Sequence, residues 1–121
     1  MKNIVIILLS ILTLQAYAQK RTPSEKAKAK TDEMQHDLAL SPEQNKKIYE
    51  LNLKTYNSIA NYEAKQTNER LRKKQKDVET DIRKAEFKKV LTASQFKKYE
   101  ELRLAEKELK KQKKNELEKI K

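Results

Sequence analysis

The spacing of apolar residues after residue 42 is helical. One face carries side chains three or four positions apart, and neighbouring positions widen it to about half of the circumference: Ile48, Leu51, Thr55, Ile59 and Tyr62, with Tyr49, Leu53, Tyr56 and Ala60. From about Arg70 the pattern narrows to a seam near heptad spacing, formed by Leu71, Val78, Ile82 and Ala85. The two faces are centred roughly 100° apart on a continuous helix. This offset is compatible with a break between them.

Helix length favours a hairpin over one continuous helix. An unbroken helix from residue 42 to residue 90 would be ~73 Å long at 1.5 Å per residue. A lone helix with so wide an apolar face could not bury that face within the monomer. We therefore predict that the chain reverses direction between residues 64 and 70.

Two short stretches open helices in the same way. Leu40-Ser41-Pro42-Glu43-Gln44 and Leu91-Thr92-Ala93-Ser94-Gln95 each place a hydroxyl residue at the N-cap and a glutamine three positions later. This arrangement predicts a capping box at each helix start. The likeness continues to Leu53 and Leu104, which makes an internal repeat with a period of about 51 residues. If the chain reverses between the two copies, Gln44 and Gln95 lie at neighbouring helix starts.

The two ends of the chain differ from this central part. Residues 19–30 contain no large apolar side chain, and we expect a flexible basic N-terminus there, with helix allowed from Ser24 onward. A short amphipathic helix is predicted from Thr31 to the residues before Pro42. The final helix opens at Thr92, and its last turns should fray or project into solvent. Its apolar stripe contains Tyr99, Leu102, Leu109, Leu117 and Ile120.

Composition restricts the fold class. The 121 residues include no glycine, no cysteine and two prolines, and 39% are charged. Helix-forming residues dominate, so the predicted fold is all-α: an elongated helical hairpin of about four helices. A chain this polar buries little apolar surface in one copy, and a second subunit would supplement it. The helical domain is expected to span residues 31–121.

The first 18 residues have the pattern of a cleaved secretory signal peptide. Lys2 precedes an apolar run of about 11 residues, and Ala16-Tyr17-Ala18 resembles a cleavage site. The run is shorter than the ~20 residues of a membrane-spanning helix, although a membrane anchor remains the alternative. Cleavage near Ala18 would leave a periplasmic or secreted protein, for which we expect no nucleic-acid partner. Loss of Lys2 lowers the formal charge from +11 to +10.

The sequence offers no recognisable active site. It has one histidine, no cysteine and no glycine loop, so we predict no enzyme activity, no catalytic residue and no cofactor. Pairs such as Glu79 with Arg83 and Glu106 with Lys110 are interpreted as solvated ion pairs on helix surfaces. His36 lies near acidic residues, but a specific metal site usually needs two or more His or Cys ligands, so no metal site is predicted.

A basic, aromatic surface is the candidate binding site. Tyr49 and Tyr56 are core or interface residues in one interpretation and part of a client-binding surface in the other. The basic run on the following helix is either a solvated face or an attractive surface for acidic partners. The candidate client-binding residues are Arg70, Arg72, Lys73, Lys74, Lys76, Tyr49 and Tyr56.

The repeated motif resembles the two LTxxQ motifs of the Spy/CpxP family of small periplasmic proteins, with serine in place of threonine in the first copy. The resemblance covers Met34 to about Leu104. It implies a helical hairpin with both motifs near one end, an antiparallel dimer shaped as a curved cradle, and ATP-independent chaperone or envelope-stress activity. The residues that match the motif, and for which the resemblance implies a structural role, are Leu40, Ser41, Gln44, Leu91, Thr92 and Gln95. The histidine-rich clusters by which some members sense metals are absent here.

These observations lead to one preferred function and two alternatives. The preferred one is a secreted, homodimeric holdase that binds unfolded or acidic polypeptides, first by charge and then by weak apolar contacts. The first alternative is a regulatory or adaptor protein that docks on one envelope partner or on an anionic membrane surface. Metal binding at His36 is the third hypothesis.

Overall fold

The structure, a computed structural model, describes residues 21–121. They form four α-helices: α1 (Pro23–Leu38), α2 (Pro42–Lys65), α3 (Glu69–Val90) and α4 (Ala93–Ile120). No strand occurs among the described residues, so the all-α prediction is confirmed for them. The predicted signal peptide, residues 1–18, lies outside the described residues.

Helix α2 occupies the middle of the fold. Both α1 and α3 pack along it, whereas α4 makes fewer contacts, with α1 and α3. The fully buried Asn52 of α2 hydrogen-bonds to Thr31 of α1 and to Arg83 of α3. At this level α2 therefore lies between its two neighbours, which accounts for the wide face that its sequence predicts.

The chain reverses between α2 and α3 at residues 66–68, inside the predicted range. The side chain of Asn68 accepts hydrogen bonds from two backbone N–H groups in the first turn of α3. The guanidinium of Arg72 donates to the carbonyl oxygens of Glu63, at 2.7 Å, and Gln66 at the end of α2. Side chains thus satisfy backbone groups that a helix end leaves unpaired. The predicted hairpin is confirmed, and its turn forms without glycine or proline.

Helix α1 begins at Pro23 rather than at Thr31. Thr22 caps it by accepting a hydrogen bond from a first-turn N–H at 3.2 Å, and proline at the first helical position costs no donor. Ala27 is completely buried and Thr31 is nearly so. The prediction of a flexible segment over residues 19–30 is therefore corrected from Pro23 onward. A small side chain at the helix contact, rather than a large apolar one, provides the packing.

The apolar core lies at the end of the hairpin where the two helix-opening motifs meet. Phe87 and Tyr99 are in edge-to-face contact there, with ring centroids 5.3 Å apart and an interplanar angle of 86°. This is a favoured geometry for aromatic pairs. Leu51, Val90 and Phe96 pack against the outside of the core. Its buried members are Met34, Leu38, Leu40, Ile48, Phe87, Leu91 and Tyr99.

The apolar seam predicted on α3 is not the buried face of that helix. Leu71, Val78 and Ile82 are 42%, 44% and 53% exposed, and we call these three residues the α3 stripe. The buried residues of α3 are Arg83 and Phe87. Arg83 takes the inward position instead of the apolar seam. Its guanidinium carbon lies within 5.5 Å of the centroids of two aromatic rings, those of Tyr56 on α2 and Phe87 on α3.

Helix α4 buries a side chain only near its start. Tyr99 is the one buried residue within the helix. Leu109, Leu117 and Ile120 are 54%, 64% and 82% exposed. The last turns project into solvent as predicted, and they remain helical to Ile120 rather than fraying.

Candidate binding sites

Both predicted capping boxes are present. Ser41 Oγ accepts a hydrogen bond from the Gln44 N–H at 3.1 Å, and Gln44 Oε1 accepts one from the Ser41 N–H at 3.0 Å. Thr92 and Gln95 form the same pair of bonds at 3.2 and 2.9 Å. Each box satisfies two backbone donors that a helix start otherwise leaves free. The serine in the first motif therefore caps as the threonine in the second does.

The two motif glutamines also bind each other. Gln44 Nε2 donates to Gln95 Oε1 at 2.8 Å, and Gln95 Nε2 donates to Gln44 Oε1 at 3.1 Å. Each Nε2 also donates to a backbone carbonyl oxygen at the end of another helix. Gln44 donates to Val90 at the end of α3, and Gln95 donates to Leu38 at the end of α1, both at 3.2 Å. The prediction that the two glutamines meet at neighbouring helix starts is confirmed.

This glutamine junction is a structural site. Both amides bond to backbone groups and to each other, and Leu40 and Leu91 from the same motifs are 5% and 7% exposed in the core. Such a satisfied network fixes the register of the α1–α2 pair against the α3–α4 pair. It offers no free donor or acceptor that would point to a ligand.

The predicted basic run does not form one continuous surface. Arg70, Lys73 and Lys74 are exposed on α3. Arg72 is half-buried and its guanidinium is bound to the end of α2, so its role is in the hairpin turn. Lys76 is exposed and lines a cavity farther along the helix.

The two candidate tyrosines lie at different contacts. Tyr49 is half-buried, and its hydroxyl is 3.2 Å from the Ser24 hydroxyl of α1. Tyr56 is half-buried with its ring 5.4 Å from the guanidinium carbon of Arg83. Of the seven candidate residues, the structure brings together Tyr56 and Lys76, which line the same cavity.

A buried polar chain connects three helices beside this cavity. Arg83 Nη1 donates to Asn52 Oδ1 at 3.1 Å, and Asn52 Nδ2 donates to Thr31 Oγ1 at 3.0 Å. The Thr31 hydroxyl donates to the Ala27 carbonyl at 2.7 Å. Arg83 is only 8% exposed and Asn52 is fully buried. A buried arginine is costly unless its charge is compensated, and here its partners are an uncharged amide and two aromatic rings.

The Arg83 cavity, as we call this recess, is lined by residues of all four helices and has a volume of about 250 Å³. Five cationic residues and one carboxylate contribute to its walls. Two buried polar atoms of its lining residues, Arg83 Nε and the Tyr99 hydroxyl, have no hydrogen-bond partner within residues 21–121. The lining residues are Lys30, Tyr56, Ile59, Lys76, Thr80, Arg83, Tyr99, Arg103, Glu106 and Lys110.

The comparisons with known proteins give one match. Residues 14–99 match a family described as Domain of unknown function (DUF4890), which is more than half of the chain. The chain belongs to this family. No curated protein and no solved structure matches it.

The region that matches DUF4890 contains both helix-opening motifs, the glutamine junction and Arg83, and it ends at Tyr99. Three residues of the Arg83 cavity lie on α4 beyond the match: Arg103, Glu106 and Lys110. The family description names no ligand or activity. In residues 21–121, no helix is both long and apolar enough to cross a membrane.

The sequence pattern does not predict the buried polar chain of this DUF4890 member. The predicted solvated pair of Arg83 with Glu79 is wrong, because Arg83 is buried and Glu79 accepts a hydrogen bond from Gln75 at 3.1 Å. Asn52 gave a usable signal, because it lies four residues after Ile48 inside an apolar face. A polar residue at such a position requires a buried partner.

The predicted ion pair between Glu106 and Lys110 on α4 does not occur among the described residues.

The acidic residues around His36 do not assemble a metal centre in the described part of the chain. No group of three or more His, Cys, Asp or Glu side chains that could hold a metal occurs in residues 21–121. His36 is exposed, and its Nδ1 is 3.2 Å from Asp37 Oδ1.

On the exposed face of α1, the 2.8 Å hydrogen bond from Lys28 Nζ to Asp32 raises the pKa of Lys28.

Proposed function

We propose that the protein acts outside the cytoplasm, after cleavage of a signal peptide near Ala18, as an ATP-independent holdase for unfolded or acidic polypeptides. The resemblance of its paired motifs to the Spy/CpxP family supports this proposal. The observation that carries it is the α3 stripe, an apolar row left exposed on a basic helix. Exposed apolar residues within a strongly charged surface suit weak, tolerant contacts with unfolded chains.

Charge and apolar exposure coincide on the first half of α3. Leu71 is 42% exposed, and the exposed residues Arg70, Lys73 and Lys74 flank it. Long-range attraction would concentrate acidic clients near this helix, and the α3 stripe would then hold their apolar segments. Because the attraction acts between exposed charges, salt should weaken it.

Light scattering of a denatured acidic client tests the proposal. Equimolar purified protein should suppress aggregation at low salt and do so less well at high salt. Lys73→Gln with Lys74→Gln should weaken suppression, whereas the charge-matched control Lys113→Gln with Lys114→Gln should retain it. Absence of suppression at low salt, or equal loss in both variants, would contradict a holdase surface on α3.

The adaptor or membrane-docking alternative makes a different prediction. An adaptor should retain a single partner tightly and saturably in a pull-down, while a holdase should retain many clients weakly. A membrane-docking protein should bind vesicles containing anionic lipid and leave neutral vesicles unbound. Either result without suppression of aggregation would replace the holdase proposal.

We further propose that the protein forms a homodimer through α4. Leu109, Leu117 and Ile120 lie on one side of this helix and are all more than half exposed. Sedimentation velocity should show a dimer that Leu109→Asp with Leu117→Asp converts to a monomer of unchanged helicity. Val78→Asp with Ile82→Asp on the α3 stripe should remain dimeric. A wild-type monomer at all concentrations would overturn the proposal.

A further inference from the structure

Two residues that line the Arg83 cavity carry buried polar atoms without a hydrogen-bond partner in residues 21–121. Arg83 is 8% exposed, it forms no ion pair within residues 21–121, and its Nε has no hydrogen-bond partner there. Tyr99 is 4% exposed, and its hydroxyl also has no hydrogen-bond partner among the described residues. Leaving a buried donor unsatisfied costs about 1–3 kcal/mol, and more for a charged group. Two such donors on the lining residues of one recess indicate a missing acceptor.

The charge of the walls specifies what kind of acceptor would fit. Lys30, Lys76, Arg83, Arg103 and Lys110 surround the cavity, and Glu106 is the one carboxylate among the lining residues. Arginine presents several N–H donors in a planar fork that matches an oxyanion, and lysine adds point charges. An excess of four positive charges favours a multiply charged anion over a single carboxylate.

The size of the cavity agrees with a small ligand. Its volume of about 250 Å³ is several times the ~30 Å³ that one water molecule occupies in the liquid. The space therefore admits one tetrahedral oxyanion together with water. Tyr56 and Ile59 form part of its wall and lower the local polarity, which strengthens charge-assisted hydrogen bonds inside.

We propose that the Arg83 cavity binds a phosphate group, with Arg83 and the Tyr99 hydroxyl as its buried donors and the lysines as its outer charges. This site is separate from the α3 stripe and does not depend on the holdase proposal. Phosphate from solution and the phosphate of a lipid headgroup share this chemistry. Loss of aggregation suppression would leave the phosphate site unaffected, and loss of phosphate binding would leave the holdase proposal unaffected.

Titration calorimetry of the purified protein with inorganic phosphate, at constant ionic strength, tests the site. We expect one saturable site per chain. Arg83→Met should reduce the affinity at least tenfold, whereas the charge-matched control Arg21→Met, at an exposed position outside the cavity, should change it less than twofold. Binding that does not saturate, or equal affinity in the wild type and Arg83→Met, would overturn the proposal.

Tyr99→Phe keeps the test decisive if Arg83→Met does not fold. It retains the ring contact with Phe87 and removes only the hydroxyl, so the melting temperature without ligand should hold while phosphate affinity falls severalfold. Unchanged affinity in this variant would contradict the assigned role of the hydroxyl. Acetate should bind at least tenfold more weakly than phosphate, and equal binding would refute the preference for a multiply charged anion.

Vesicles distinguish the two sources of phosphate. If the site serves soluble phosphate, Arg83→Met should bind phosphatidic-acid vesicles as the wild type does. If it serves a lipid headgroup, vesicle binding should fall with Arg83→Met and persist with Arg21→Met. Either pattern supports the site provided that inorganic phosphate binding depends on Arg83, and binding of neither form would overturn it.

Discussion

The two copies of the repeat begin alike and end in different surroundings. Residues 40–53 and 91–104 share a capping box, and Ile48 and Tyr99, which are equivalent in the repeat, are both buried. One turn later they diverge. The buried residues Asn52, Thr55 and Ile59 of α2 correspond to the half-buried Arg103 and the exposed Glu106 and Lys110 of α4.

Neighbouring helices explain this difference. Helices α1 and α3 both pack extensively on α2, whereas α4 makes few contacts with α1 and α3. A capping box fixes where a helix begins, but burial requires another element to pack against. In α4 the equivalent positions carry charged residues, and they supply part of the wall of the Arg83 cavity.

The largest effect is expected where both copies reach the core. Ile48 is fully buried, so Ile48→Ala should lower the free energy of unfolding by about 2–5 kcal/mol through lost burial and a residual cavity. Ile120→Ala is the matched control in the second copy's helix, where the residue is 82% exposed, and it should change stability by no more than about 0.5 kcal/mol. Urea denaturation followed by circular dichroism measures both, and equal losses would refute the difference in burial.

The glutamine junction should give the next largest effect. Gln95→Ala removes a cap bond and bonds to Gln44 and Leu38, so we expect a loss of about 1–2 kcal/mol, and in any case more than ~0.5 kcal/mol. Gln44→Ala should lose a similar amount. In the double variant the losses should be less than additive because the two side chains bind each other.

Gln112→Ala is the control for these glutamine variants, since Gln112 is exposed near the end of α4. It should leave the melting temperature unchanged. Strictly additive losses at Gln44 and Gln95 would show that each acts only as a cap and that their mutual bonds contribute nothing to stability.

The junction was also the most predictable part of the fold. The capping boxes follow from five-residue local patterns, and the turn at residues 66–68 follows from the shift in apolar periodicity and the length of a continuous helix. These features depend on residues near in sequence. The meeting of Gln44 and Gln95 then follows from the reversal and the repeat.

Other features depend on contacts that no local pattern contains. The exposed α3 stripe has the same spacing as a buried seam, and only the neighbours decide which face is inside. Arg83 is buried because Asn52, Tyr56 and Phe87 surround it. Phe87 lies on the same helix, but Asn52 and Tyr56 lie on α2, about 30 residues earlier in the chain. Ala27 is completely buried although its side chain is small. For this reason the spacing of large apolar residues does not reveal that α1 begins at Pro23.

A substitution just before the first motif should have a smaller effect and should raise, rather than lower, the free energy of unfolding. Ala39, which ends α1 before the first motif, has a φ of 51° in the left-handed region, whereas Leu91, which ends α3 and is the first residue of the second motif, is extended. A residue with a Cβ pays roughly 1–2 kcal/mol there, so Ala39→Gly should stabilise the protein by about 0.5–1 kcal/mol after its greater unfolded-state entropy is counted. Leu91→Gly should destabilise it, since it loses a core side chain. A lower melting temperature for Ala39→Gly would contradict the strain at this position.

The smallest effect compares two leucines at equivalent positions of the repeat. Leu53 on α2 is half-buried, and Leu104 on α4 is 66% exposed. Leu104→Ala should change the free energy of unfolding by less than about 0.5 kcal/mol, because little apolar surface is lost and alanine favours helix. Leu53→Ala should cost about 1 kcal/mol, as expected for partial burial. Paired urea denaturation curves measure the difference, and equal losses would contradict the difference in burial between the two leucines.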